Sequence, residues 1–139
     1  MYLIDKDISL FHAKIKKILG ISLVYIFGSA VKNSQLAPHD IDVAILHDSD
    51  IGMKEKMLIQ EQVLDIVEKI FKLEGNVIFV NEASPLLKCQ VIKYGKLIFE
   101  RHKGIDSGFR FRVLTEYFEY KELQDFFYKR QIKAKYYGR

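Results

Sequence analysis

The 139-residue sequence has a single cysteine, no tryptophan and two prolines. With Cys89 alone no internal disulfide can form, and a lone cysteine without a cysteine and histidine framework reads as a small core residue. A chain of this length buries roughly two-thirds of its unfolded surface, so a core needs neither disulfide nor structural zinc, and the sequence suits a reducing compartment. Long hydrophobic runs are missing too. The longest, around Leu23 to Phe27, is far short of the ~20 residues that span a bilayer. The N-terminal stretch carries Asp5 and Asp7 where a signal peptide needs a basic segment followed by an apolar one. The expectation is a cytoplasmic protein with no membrane association. His12, His39, His47 and His102 show neither H-x3-H nor H-E-x-x-H spacing, which excludes the usual zinc sites. No G-x-x-x-x-G-K-[ST], G-x-G-x-x-G or G-x-S-x-G occurs, so P-loop, dinucleotide-fold and nucleophile-elbow chemistry are excluded as well.

What is present, 49% hydrophobic and 29% charged residues, describes one globular domain over residues 1–139, without repeat, low-complexity segment or interior linker. Ile4, Ile8, Phe11, Ile15 and Ile18 line one face of a helix expected to stop at Gly20. Ser22 to Phe27 reads as a buried strand turning sharply at Gly28-Ser29, and Asp40 to Leu46 as a second strand with its charges on one face. An amphipathic helix is expected from about Met53 to Leu73, ended by Gly75, then a third strand over Asn76 to Val80. Pro85 opens a helix to about Tyr94 with Gly95 as its stop, and Lys96 to Glu100 is a short fourth strand. From about Ile105, Phe111, Leu114, Phe118, Leu123 and Phe127 fall near helical spacing and predict a packed C-terminal helix. The net charge of +4 gathers in a basic tail at Lys129, Arg130, Lys133, Lys135 and Arg139. The fold class is α/β (α+β): a small mixed sheet of three to four strands with helices packed against it.

The chemistry is concentrated between Phe27 and Val43. Asp40 and Asp42, two apart on a strand, project from the same face about 7 Å apart. Two hard oxygen donors at that spacing suit Mg2+, which takes one or two protein carboxylates and completes its shell with water and phosphate oxygens. Without a cation or donors, carboxylates set among Ile41, Val43, Ala44 and Ile45 carry a desolvation penalty. Gly28 lets backbone N–H groups approach a phosphate, the Ser29 hydroxyl can donate to the same oxygens, and Lys32 stands one turn further on as a point charge. His39 is next to Asp40, but strand alternation turns it off the carboxylate face and makes it a surface histidine. A D-x-D pair alone is more often a solvated face than a metal site.

The combination G-S, ten residues, then D-x-D between two apolar strands resembles the signature of the DNA polymerase β type nucleotidyltransferase superfamily. More narrowly it is similar to the minimal nucleotidyltransferases, or MNT domains, encoded beside HEPN-domain ribonuclease toxins. Asn81 to Leu87 and Tyr94 to Glu100 look like the family's segments after the third strand. The resemblance implies the nucleotidyltransferase fold and an antitoxin that moves AMP from ATP to a tyrosine of the HEPN toxin, held with it in a hetero-oligomer. By the same resemblance Gly28, Ser29 and Lys32 hold the nucleotide, while Asp40 and Asp42 are catalytic and ligate Mg2+.

Where the family commonly carries a third carboxylate on the third strand, this sequence has Asn76, an amide that supplies a neutral oxygen and no base. Glu74 and Glu82 flank that strand as substitutes. The arginine that often follows the Gly-Ser pair is also missing, with Ala30 and Val31 in its place. Three outcomes stay open: the enzyme works with two carboxylates, borrows a base from its partner, or has lost catalysis and neutralises the toxin by binding alone. A small-molecule acceptor such as an aminoglycoside is a further alternative, disfavoured because the chain leaves no length for a substrate domain. The aromatic and basic residues of the C-terminal region favour the HEPN partner over direct nucleic-acid binding.

Overall fold

A computed structural model describes residues 3–28 and 40–136 of the chain. Four strands form one sheet: β1 (Ile21–Phe27), β2 (Asp40–His47), β3 (Glu74–Phe79) and β4 (Lys96–Glu100). Their order is β3-β2-β1-β4. β1 pairs antiparallel with β2 and with β4, whereas β2 and β3 run parallel. The parallel pair requires a crossover, and α2 (Met53–Phe71) supplies it. The remaining helices are α1 (Asp5–Ile15), α3 (Pro85–Tyr94) and α4 (Ile105–Tyr136), with a short 3-10 turn at Val80–Glu82. The architecture is the mixed sheet with packed helices that the sequence pattern predicts.

Strand alternation gives the sheet two apolar faces. On one, Val24, Ile26, Ile41, Val43 and Ile45 are buried with Phe11 and Ile15 of α1 and Ile59, Val63 and Val67 of α2. On the other, Leu23, Tyr25 and Ala44 are buried with Val91 and Ile92 of α3 and Phe109 and Val113 of α4. Two polar clamps tie elements distant in sequence to this frame. Arg101 donates to three backbone carbonyls beyond α1, at Lys16 (2.8 Å), Ile18 (2.6 Å) and Ile21 (3.1 Å). At the root of α4, the buried Tyr25 hydroxyl donates to Asp106, whose other oxygen accepts from Arg110 Nε at 3.0 Å.

Several boundaries differ from the sequence reading. α1 ends at Ile15, and the residues up to Gly20 form turns, with Ile18 N–H bonded to the Ile15 carbonyl at 2.9 Å. α2 ends two residues early, because Lys72 takes the left-handed conformation (φ 58°) and donates to the Glu68 carbonyl. Gly75, expected as the helix stop, lies inside β3, which starts at Glu74 and gives way at Val80 to the 3-10 turn. α3 runs as expected: Ser84 caps it by accepting from Leu87 N–H, Pro85 opens it and Gly95 closes it.

The largest difference is in α4. Of the stripe expected to pack, Phe111, Leu114, Phe118, Leu123 and Phe127 are all exposed, and Phe109 and Val113 make the buried contacts instead. A helix of 32 residues is about 48 Å long, more than the sheet can cover, and among the described residues the side chains of its later turns are nearly all exposed. Among the described residues no helix is long and apolar enough to cross a membrane.

Candidate functional site

The end of β1 and the start of β2, the two central strands, meet at one end of the sheet, where Phe27 is registered with Asp42. On the other side of β2, the parallel register sets Asp42 opposite Asn76 and Asp40 opposite Glu74. Period-two alternation places Asp40 and Asp42 on the same face as Ala44, the face that α3 and α4 cover further along.

Here the side chains converge. The Asn76 amide nitrogen donates to Asp40 Oδ2 at 2.9 Å and to Asp42 Oδ1 at 3.2 Å. Gly28 approaches Asp42 from the β1 side: its φ is +80°, and a Cβ built there would lie 2.2 Å from Asp42 Oδ2. Glycine is therefore required twice, for a backbone conformation L side chains rarely adopt and for the room the carboxylate occupies. Asp42 is half-buried, and its carboxyl is held above the ordinary carboxylate range. Burial is the largest cause, the Asn76 hydrogen bond opposes it, and the like charge of Asp40 adds to it.

Asp40, Asp42, Gly28 and Asn76 are thus brought together, whereas Ser29, Lys32 and His39 lie outside the described residues. Glu74 stands in register with Asp40 at the start of β3 and is exposed. Glu82 is not a substitute ligand. Its neighbour Asn81 exchanges hydrogen bonds of 2.9 and 3.0 Å with the backbone of His47, about 17 Å along β2 from Asp42. Glu82 is also engaged by Lys56, which hydrogen-bonds its carboxylate and pulls its pKa below the ordinary value. Among the described residues no three or more His, Cys, Asp or Glu side chains cluster as a metal site, since an amide occupies the third corner.

One expectation about that corner is corrected. The sequence reading treats Asn76 as a source of a neutral oxygen, but the amide turns its nitrogen to the carboxylates. Two anionic acceptors favour the donor end, and this contact is invisible in a residue list that shows only which atoms an asparagine owns.

Comparison with known proteins gives the family. The family profile described as Polymerase beta, Nucleotidyltransferase matches residues 12–104. No curated protein matches the chain. Among solved structures, a toxin-antitoxin crystal structure with AMP-PNP contains a chain 18% identical, aligned over 94% of this chain and 99% of its own with a TM-score of 0.68. A chain in a structure of a tri-AMPylated Shewanella oneidensis HEPN toxin in complex with MNT antitoxin is 19% identical. That match covers 90% of this chain and 98% of the other, with a TM-score of 0.62. A further Shewanella oneidensis structure is 18% identical, with coverages of 93% and 99% and a TM-score of 0.65. At such identities the likeness is one of fold.

Proposed function

Because the chain belongs to the polymerase beta nucleotidyltransferase family, we propose that it moves AMP from ATP to a tyrosine of a partner HEPN ribonuclease toxin, and so acts as the antitoxin of the pair. The carrying observation is the meeting of Asp40, Asp42 and Asn76 with the Gly28 turn. The toxin-antitoxin structures of the same fold, one with AMP-PNP and one with a tri-AMPylated toxin, support the donor, the acceptor and the partner.

The donor set fits a hard divalent cation, since two carboxylates share one face and Asp42 bears a burial cost that a cation would relieve. Asp40 and Asp42 hold Mg2+ in this proposal. When bound, Mg2+ supplies charge neutralisation and Lewis-acid polarisation to the phosphates. The chain's own residues do the positioning. Gly28 keeps the turn after β1 free of side-chain bulk so that backbone and the Ser29 hydroxyl reach a triphosphate, and Lys32 adds positive charge to it. Asn76 has no atom able to take the proton of an acceptor hydroxyl. The chain acts as a single cytoplasmic domain over residues 1–139, bound to the toxin through the exposed side chains of α4 and with no direct role for nucleic acid.

A second reading is favoured by one observation. With Asn76 in the third corner, the protein neutralises the toxin by binding alone. One assay separates the two: the protein is incubated with labelled ATP, Mg2+ and the protein encoded beside it, and label on the partner is followed. Label that appears with the wild type and is lost with Asp42→Asn supports transfer. A silenced toxin that carries no label refutes transfer and leaves occlusion.

A further inference from the structure

The two N–H bonds of a single amide end on two different carboxylates: Asn76 Nδ2 reaches Asp40 Oδ2 at 2.9 Å and Asp42 Oδ1 at 3.2 Å. The other carboxylate oxygen of Asp42, Oδ2, occupies the room that a Cβ at Gly28 would need, 2.2 Å from where that Cβ would stand. The carboxylate of Asp42 is therefore fixed between a glycine on one flank and an amide on the other. Its Oδ1 turns to the space it shares with Asp40.

We propose that Asn76 is a positioning residue serving as the site's internal substitute for a cation, clamping Asp40 and Asp42 in the metal-free protein so that an entering divalent ion must displace it. The inference rests on the reading of Asp40 and Asp42 as metal ligands. The amide engages one oxygen of each carboxylate, so an ion held by Asp40 and Asp42 would compete with it for them. Two like charges side by side on a strand repel, and an amide group with two donors is the neutral side chain that answers both at once. Turning the amide over would set its oxygen against both carboxylates, so the donor orientation is the one their negative charge favours. Metal binding is then an exchange of one occupant for another.

Charge follows from the same arrangement. Two carboxylates and a neutral amide carry a formal charge of minus two, which a single divalent ion cancels.

The test is Mn2+ binding to the full chain, counted by electron paramagnetic resonance, for wild type, Asn76→Ala, Asn76→Asp and Asp42→Asn. It is accompanied by the side-chain amide resonances of Asn76 in the wild type during Mg2+ titration. One Mn2+ is expected on the wild type. Asn76→Ala, which removes the competitor, binds it roughly three- to tenfold more tightly, and Asn76→Asp more tightly still. The Asn76 amide resonances should move and saturate with Mg2+, a readout that needs no variant to fold. Equal or weaker binding by Asn76→Ala, or amide resonances that stay still while the ion binds, would overturn the exchange and leave the metal site standing. Wild type that binds no Mn2+, or binding that survives Asp42→Asn, would sink the metal site itself and this inference with it.

Discussion

Gly28 and Asp42 contend for the same few cubic ångströms, since a Cβ on the glycine would sit 2.2 Å from Asp42 Oδ2. Nothing larger than hydrogen fits at position 28 unless the carboxylate leaves its place. Gly28→Ala is therefore expected to lower nucleotide transfer by about two orders of magnitude, the size typical of losing one positioned charge-stabilising group. The positive φ adds roughly 1–2 kcal/mol of destabilisation. Transfer kinetics and a urea melt on the same preparation measure both effects.

Replacing Asp42 should separate function from stability. Its folded-state pKa is raised, so ionising it costs the folded protein: stability is fully present below the unfolded carboxyl value and falls as pH rises through the raised one. Asp42→Asn removes that cost. The metal-free variant should melt at a higher temperature than wild type at neutral pH, the difference vanishing in acid, while transfer drops by about a hundredfold or more. Thermal melts across pH without divalent ions are the check, and a lower neutral-pH melting temperature would count against the desolvation account.

Arg101 secures the segment between α1 and β1 from the end of β4 through bonds to the carbonyls of Lys16, Ile18 and Ile21. Arg101→Ala leaves those acceptors to water and the segment unanchored. A loss of about 2 kcal/mol is expected in denaturant unfolding, on the usual scale of charged hydrogen bonds. Activity per folded molecule should be unchanged, since Arg101 is remote from Asp42.

The exposed apolar side chains of α4 should matter to the partner and not to the domain. Phe118 is 66% exposed and Phe127 55%, so Phe118→Ser with Phe127→Ser should change the stability of the isolated chain by no more than about 0.5 kcal/mol per site. Binding to the toxin should weaken by at least tenfold if these rings sit in the interface. Calorimetric titration against the partner, with a melt of the free variant, distinguishes this from a folding defect.

Much of this arrangement is legible from local pattern. Pro85, Gly95 and the alternation in Asp40 to Leu46 each announce an element through a rule that acts over a few residues, and those elements lie where expected. The shared face of Asp40 and Asp42 follows from the two-residue period of a strand. The failures occur where distant contacts decide. Lys72 ends α2 by taking a left-handed conformation that a glycine adopts more readily, and Gly75 instead lies in β3 beside Leu64 and Val67. Glu82 flanks the third strand in sequence, but the parallel pairing carries it to the wrong end of β2. The apolar spacing of α4 predicts a helix correctly and its burial incorrectly, because periodicity does not say how much sheet is available to cover. Which end of the Asn76 amide faces the carboxylates depends on a register set across 34 residues of sequence separation.

The sheet order has a consequence for how the chain is made. β1 lies in the interior of the finished sheet, and its second neighbour, β4, pairs Lys96 to Glu100 with Leu23 to Ile26. Until the ribosome has released that late segment, the growing chain displays an apolar strand with one row of peptide groups unpaired, the arrangement that invites a second chain to add on. Nascent chains stalled before residue 96 should depend on holding chaperones, and that dependence should end once β4 docks.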